Sequence, residues 1–187
     1  GKTFGEANKK SSLDTNEVKF TSDTIKVDEK NKIVTALGNV VISNDKRKII
    51  ADKVEYDQNL DKAIASGEVI LTEQDGSIFE SNKVILTNEF KSIMAMPLFG
   101  KLTDDSSIKA KSLKINKLGE SYFNEGVYTA CECDLKKDET PIWRIESKQI
   151  KHDPNTKTVY LKHAVMRIFS LPVYYLPYLS FPDWTVK

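Results

Sequence analysis

The sequence predicts an all-β fold: an elongated folded β-jelly-roll or β-sandwich built from stacked two-strand repeats. Three observations carry this. Apolar residues alternate with polar ones at period two, as in Val40/Ile42, Val54/Tyr56, Val69/Leu71, Val84/Leu86 and Leu113/Ile115, which gives strands with one buried and one wet face. Short apolar segments return about every thirty residues, the mark of a repeat architecture. Helical periodicity is absent, and no capped helix start appears.

Taken in order, residues 1–17 are polar and aperiodic and read as a flexible lead-in. The repeat occupies residues 18–170. Its first landmark is an apolar residue after a small or polar triplet, at Ile25, Val54, Val84, Leu113 and Ile150, in steps of 29, 30, 29 and 37 residues. The long last step holds a cysteine-containing insertion. Thirteen residues beyond each lies a second landmark: Gly38, Gly67, Pro97, Gly126 and His163. Turn signals such as Asp57-Gln58-Asn59 and Asp153-Pro154-Asn155 separate the segments. Each unit supplies two strands, about 10 to 12 in all by this count of units. A two-strand unit cannot bury its apolar face alone, so the units must stack. A glycine inside a strand permits a bend or bulge, and a bend at the same place in every copy folds the sheet over on itself.

Residues 171–187 read as a Pro/aromatic linker that in part caps the last repeat as a terminal strand. Pro172, Pro177 and Pro182 suit an edge or an extended connection, not a central strand. The tyrosines, Phe181 and Trp184 also suit a membrane interface. Cys131 and Cys133 stand one residue apart. They can be free thiols or can bridge to a partner outside this chain. A bond between them is strained on extended backbone, where their Cα atoms stand about 7 Å apart. A zinc site would draw on His152 and His163, whose spacing matches no common motif.

The chain carries 28 basic and 27 acidic residues, well mixed, for a net charge of +1, so nothing points to nucleic acid. No run of 18 apolar residues marks a membrane helix, no signal peptide opens the chain, and Gly1 points to a processed or trimmed start. No phosphate loop, metal-protease motif, nucleophile elbow or triad is present. Asp52 and Glu55 fall on opposite strand faces and make no acid pair. The expectation is a protein that is not an enzyme and takes no cofactor or metal.

The repeat, the Tyr128-Thr129-Ala130-Cys131 step, Pro141-Ile142-Trp143-Arg144-Ile145 and the ending Pro172-Val173-Tyr174-Tyr175-Leu176-Pro177-Tyr178 together resemble the OstA superfamily. Within it they look like the periplasmic N-terminal domain of the LptD lipopolysaccharide-assembly proteins. The repeat is shared with the LptA and LptC bridge proteins; the cysteine step and the Pro/Tyr ending are more specific. The resemblance implies a periplasmic module at the outer membrane of a Gram-negative bacterium, followed by a β-barrel. The module would hold lipid A acyl chains in a trough and pass lipopolysaccharide from an LptA-like bridge, docked by edge-strand addition, to the barrel with its LptE-like lipoprotein. The trough-lining candidates are the inward-parity residues Val40, Ile42, Val54, Tyr56, Val69, Leu71, Val84, Leu86, Leu113 and Ile115. The resemblance also implies that Cys131, Cys133 or both bridge to the barrel and are free in this chain alone. Two other readings are a free-standing LptA/LptC-like bridge and a structural β-stack adaptor that binds no lipid.

Overall fold

The structure, a computed structural model, describes residues 11–15 and 18–186. Among them one antiparallel sheet holds fifteen strands. The first eight are β1 (Ser11–Thr15), β2 (Val18–Ser22), β3 (Thr24–Asp28), β4 (Ile33–Ser43), β5 (Arg47–Asp57), β6 (Lys62–Glu73), β7 (Ile78–Thr87) and β8 (Ser92–Met96). The rest are β9 (Leu98–Lys101), β10 (Ser107–Ala110), β11 (Ser112–Ile115), β12 (Ser121–Thr129), β13 (Trp143–Asp153), β14 (Thr158–Ile168) and β15 (Leu171–Pro182). The excess over the expected 10 to 12 has a simple origin. At three places the chain breaks where it turns the bend, giving β2/β3, β8/β9 and β10/β11 as separate strands. β1 adds another, so part of the expected lead-in is a strand paired with β2; residues 1–10, 16 and 17 lie outside the described residues.

The long strands run through a shared crease that divides the sheet into two leaves. One leaf, called front here, holds β3, β8, β11 and the segments 33–37, 53–57, 62–66, 83–87, 121–124, 149–153, 158–162 and 178–182. The back leaf holds β1, β2, β9, β10 and the remaining halves of the long strands. Pairing shifts register between Leu37 and Val40, Ile50 and Lys53, and Ser66 and Val69. The leaves close face to face on one hydrophobic core, and the Phe79 ring of the back leaf meets Phe123 of the front leaf at 5.8 Å.

All five second landmarks sit at the crease. Gly38 and Gly67 have φ of +77° and +91°, a region costly for any residue with a Cβ. A Cβ on Gly38 would reach within 2.6 Å of Asp23 Oδ2, and one on Gly67 would strike Asp52. Pro97 separates β8 from β9, Glu125 beside Gly126 takes φ of +50°, and so does His163. The first member of each preceding triplet, Ser22, Ala51, Ser81, Ala110 or Ser147, is buried inside the crease. All five are small, serine or alanine. The three serines turn their hydroxyls back to donate to the carbonyls of Thr24, Lys83 and Gln149, which satisfies a buried polar group locally. The repeat is thus a record of the bend.

Residues 171–182, expected as a linker, form the strand β15 at the sheet edge, paired with β14. Its prolines stand where the ladder tolerates a missing donor. Pro177 lies opposite His163, where pairing skips from Lys162↔Tyr178 to Ala164↔Leu176; Pro172 lies at a register shift; Pro182 ends the strand.

Candidate functional site

Nine of the ten inward-parity candidates are buried in the core between the leaves, none of the nine more than 4% exposed. Tyr56 is half-buried and packs against that core. Its hydroxyl donates to Asp61 at 3.0 Å, and burial first, then Asp61, pushes its pKa up. The alternation that selected these residues therefore selects the interior. As it stands, that interior is packed. Two solvent-open clefts of about 640 and 280 Å³ are lined by other residues.

The larger cleft opens at the mouth, opposite the crease, where the outer ends of the two leaves approach. Phe181 of the front leaf meets Tyr128 of the back leaf, ring centroids 6.0 Å apart. Past β15 the chain turns across the gap. The Asp183 amide donates to the Lys157 carbonyl at 2.8 Å, and the Asp183 carboxylate pairs with His152 Nε2 at 2.8 Å, both residues buried. The Trp184 ring packs on His152 at 4.3 Å, while its indole Nε1 donates to Asp75 Oδ2 at 2.9 Å. Asp75 belongs to the turn between β6 and β7 of the back leaf, held by Thr103 Oγ1, which donates to the Asp75 carbonyl. One tryptophan side chain thus spans the leaves.

Electrostatics fix this arrangement. Burial works against an ionised Asp183, but hydrogen bonds from Thr185 and His152 outweigh it and hold the carboxyl below the usual carboxylate range. Burial pushes the Tyr128 phenol up, against a hydrogen bond with Ser106. Sequence reasoning missed Asp75, Asp183 and Trp184 as a set, because their meeting depends on the fold closing. One signal was legible: His152 shares parity with the buried Ile150, and a histidine on an inward face needs a polar partner.

The cysteines are placed otherwise than expected. Cys131 and Cys133 are bonded to each other, with Cα atoms 5.1 Å apart, so they are not free thiols in this chain. The chain leaves β12 at Thr129 and bends at Ala130 and Cys131, and that bend removes the separation an extended backbone would impose. The Ser107 hydroxyl holds the loop by its bonds to the carbonyls of Cys131 and Cys133, both 3.3 Å. Leu135, 5% exposed, anchors it against the protein. Among the described residues no group of three or more His, Cys, Asp or Glu side chains is placed to hold a metal ion.

The chain is 25% identical over 150 residues to the LPS-assembly protein LptD of Burkholderia thailandensis, and 26% over 149 residues to that of Paraburkholderia xenovorans. Each alignment covers 80% of this chain and 18% of the relative, so the chain spans about a fifth of the length of the curated relatives it matches. Among solved structures it is similar to LptH, the LptA-homologous periplasmic component of the lipopolysaccharide transport device of Pseudomonas aeruginosa. That similarity has a TM-score of 0.45 and 10% identity, covering 54% of this chain and 76% of that one. The sequence pattern described as "LptA/(LptD N-terminal domain) LPS transport protein" matches residues 19–168, and the chain belongs to that family.

Proposed function

We propose that this chain is a periplasmic lipopolysaccharide-carrier module of the outer membrane. Its interior receives lipid A acyl chains when the leaves part at the mouth. It takes lipopolysaccharide from an LptA-like bridge added at a sheet edge and passes it to an LptD-type barrel with its LptE-like lipoprotein. The observation that carries this reading is the continuous apolar interior between two leaves joined by a crease, including Val40, Ile42, Val54, Val69, Leu71, Val84, Leu86, Leu113 and Ile115. An acyl chain about 15 Å long matches a few strands spaced about 4.8 Å apart. Each buried methylene contributes about 0.8 kcal/mol, so one acyl chain offers on the order of 10 kcal/mol toward opening. No catalytic group is needed for such non-directional binding.

The packing of that interior favours a second reading, a β-stack adaptor that joins other domains and never opens. Photo-crosslinking separates the two. With p-benzoylphenylalanine in place of Tyr56, Phe79 or Tyr128, which are aromatic already, a carrier yields lipopolysaccharide adducts in cells and an exposed position such as Leu60 yields none. Adducts absent from all three inward positions would leave the adaptor. In the full-length protein, Cys131 or Cys133 remains the proposed link to the barrel: a barrel thiolate attacks the local bond, joins one of the two and releases the other as a thiol. A non-reducing gel that shows only the local pair would remove that link.

A further inference from the structure

We propose that the segment from Phe181 to Thr185 is a clasp that holds the mouth shut, and that its release lets the leaves part. The inference rests on the carrier reading and adds its point of control. The segment is anchored firmly on the front leaf. Asp183 is 4% exposed, its amide bonded to the Lys157 carbonyl and its carboxylate to His152 and Thr185. Its hold on the back leaf is narrower: one indole hydrogen bond to Asp75 and one aromatic contact with Tyr128. Both back-leaf contacts border an open cleft of about 640 Å³, so they lie at the margin of the core, against which Tyr128, Phe181 and Trp184 also pack. At the opposite margin the crease ties the leaves by continuous backbone through β4, β5, β6, β7, β12, β13, β14 and β15. A sheet hinged along one margin and clipped at the other opens where the clip is. One net hydrogen bond and one aromatic pair make a clip that is weak beside what an acyl chain offers.

The purified chain labelled with 5-fluorotryptophan tests this by fluorine NMR, since Trp143 and Trp184 are its two tryptophans. Its apolar interior is probed with 1-anilinonaphthalene-8-sulfonate and, separately, with hexa-acyl lipid A. Trp184→Ala and Asp75→Ala are expected to raise dye binding about tenfold while thermal unfolding stays cooperative. Trp184→Phe, which keeps a ring on His152, should fall between them and the unsubstituted chain. Lipid A should shift the Trp184 resonance, and shift it more than that of Trp143, whose ring lies 6.4 Å from Tyr128. Variants that lower the melting temperature without admitting more dye would overturn the clasp and make the segment a mere terminal cap. Lipid A bound in the interior, displacing the dye, while the Trp184 resonance stays fixed would also overturn it, leaving the carrier reading intact. Failure of lipid A to bind any variant, with dye uptake still raised, would keep the clasp and refute the carrier.

Discussion

At the residue scale, Asp183 shows how burial and hydrogen bonding compete. Its carboxyl is held below the usual range because Thr185 and His152 together outweigh desolvation. A carboxylate with a depressed folded pKa contributes stability above its unfolded value of about 3.9 and loses it as pH falls through the folded value. Asp183→Asn is therefore expected to cost about 2 kcal/mol at pH 7, the scale of a disrupted buried polar pair. The gap to the unsubstituted chain should close progressively below about pH 4. Urea melts of both proteins from pH 7 down to 3 measure it; a gap constant across that range would show that the carboxylate's charge contributes nothing. Little of this was legible in the sequence beyond the inward parity of His152. Asp183 reads there as one acid in a proline-rich ending, and its partner His152 lies 31 residues away.

At the scale of the element, the strands and their bends were the most legible feature, because period-two alternation and a thirteen-residue internal spacing survive in every copy. Gly38 and Gly67 read as bends, and the structure supplies the reason: positive φ, and an aspartate of the neighbouring repeat, Asp23 or Asp52, where a Cβ would stand. Gly67→Ala should destabilise the chain by about 2–4 kcal/mol, from backbone strain and overpacking together. Gly119→Ala also has positive φ, but its Cβ would meet only Pro154 Cγ at 3.8 Å, and it should cost about 1 kcal/mol. Equal costs in denaturant melts would remove Asp52 from the explanation. β15 was harder to read, since three prolines argue against a central strand, and only the ladder shows Pro177 at a skipped pair, Pro172 at a register shift and Pro182 at the strand's end. The cysteine loop was harder still. Its bend follows from where β12 stops, and no local pattern marks that point.

At the scale of the whole molecule, periodicity was enough to infer one folded-over sheet, because a repeat of two strands and a bend has few ways to bury its apolar faces. It could not show that the interior is closed at rest, or which residues close it. Closure depends on Asp75 and Trp184, 109 residues apart in the chain, and on no spacing within a repeat. A carrier of this design must change the distance between its leaves at the mouth. Spin labels on non-natural side chains at Lys157 and Asp105, exposed positions on opposite leaves beside the mouth, report that distance by pulsed electron resonance. Adding lipid A should lengthen it by about 5 Å or more, roughly one strand spacing, and Trp184→Ala should move the population the same way without lipid. A single unchanged distance with lipid A demonstrably bound would contradict opening at the mouth.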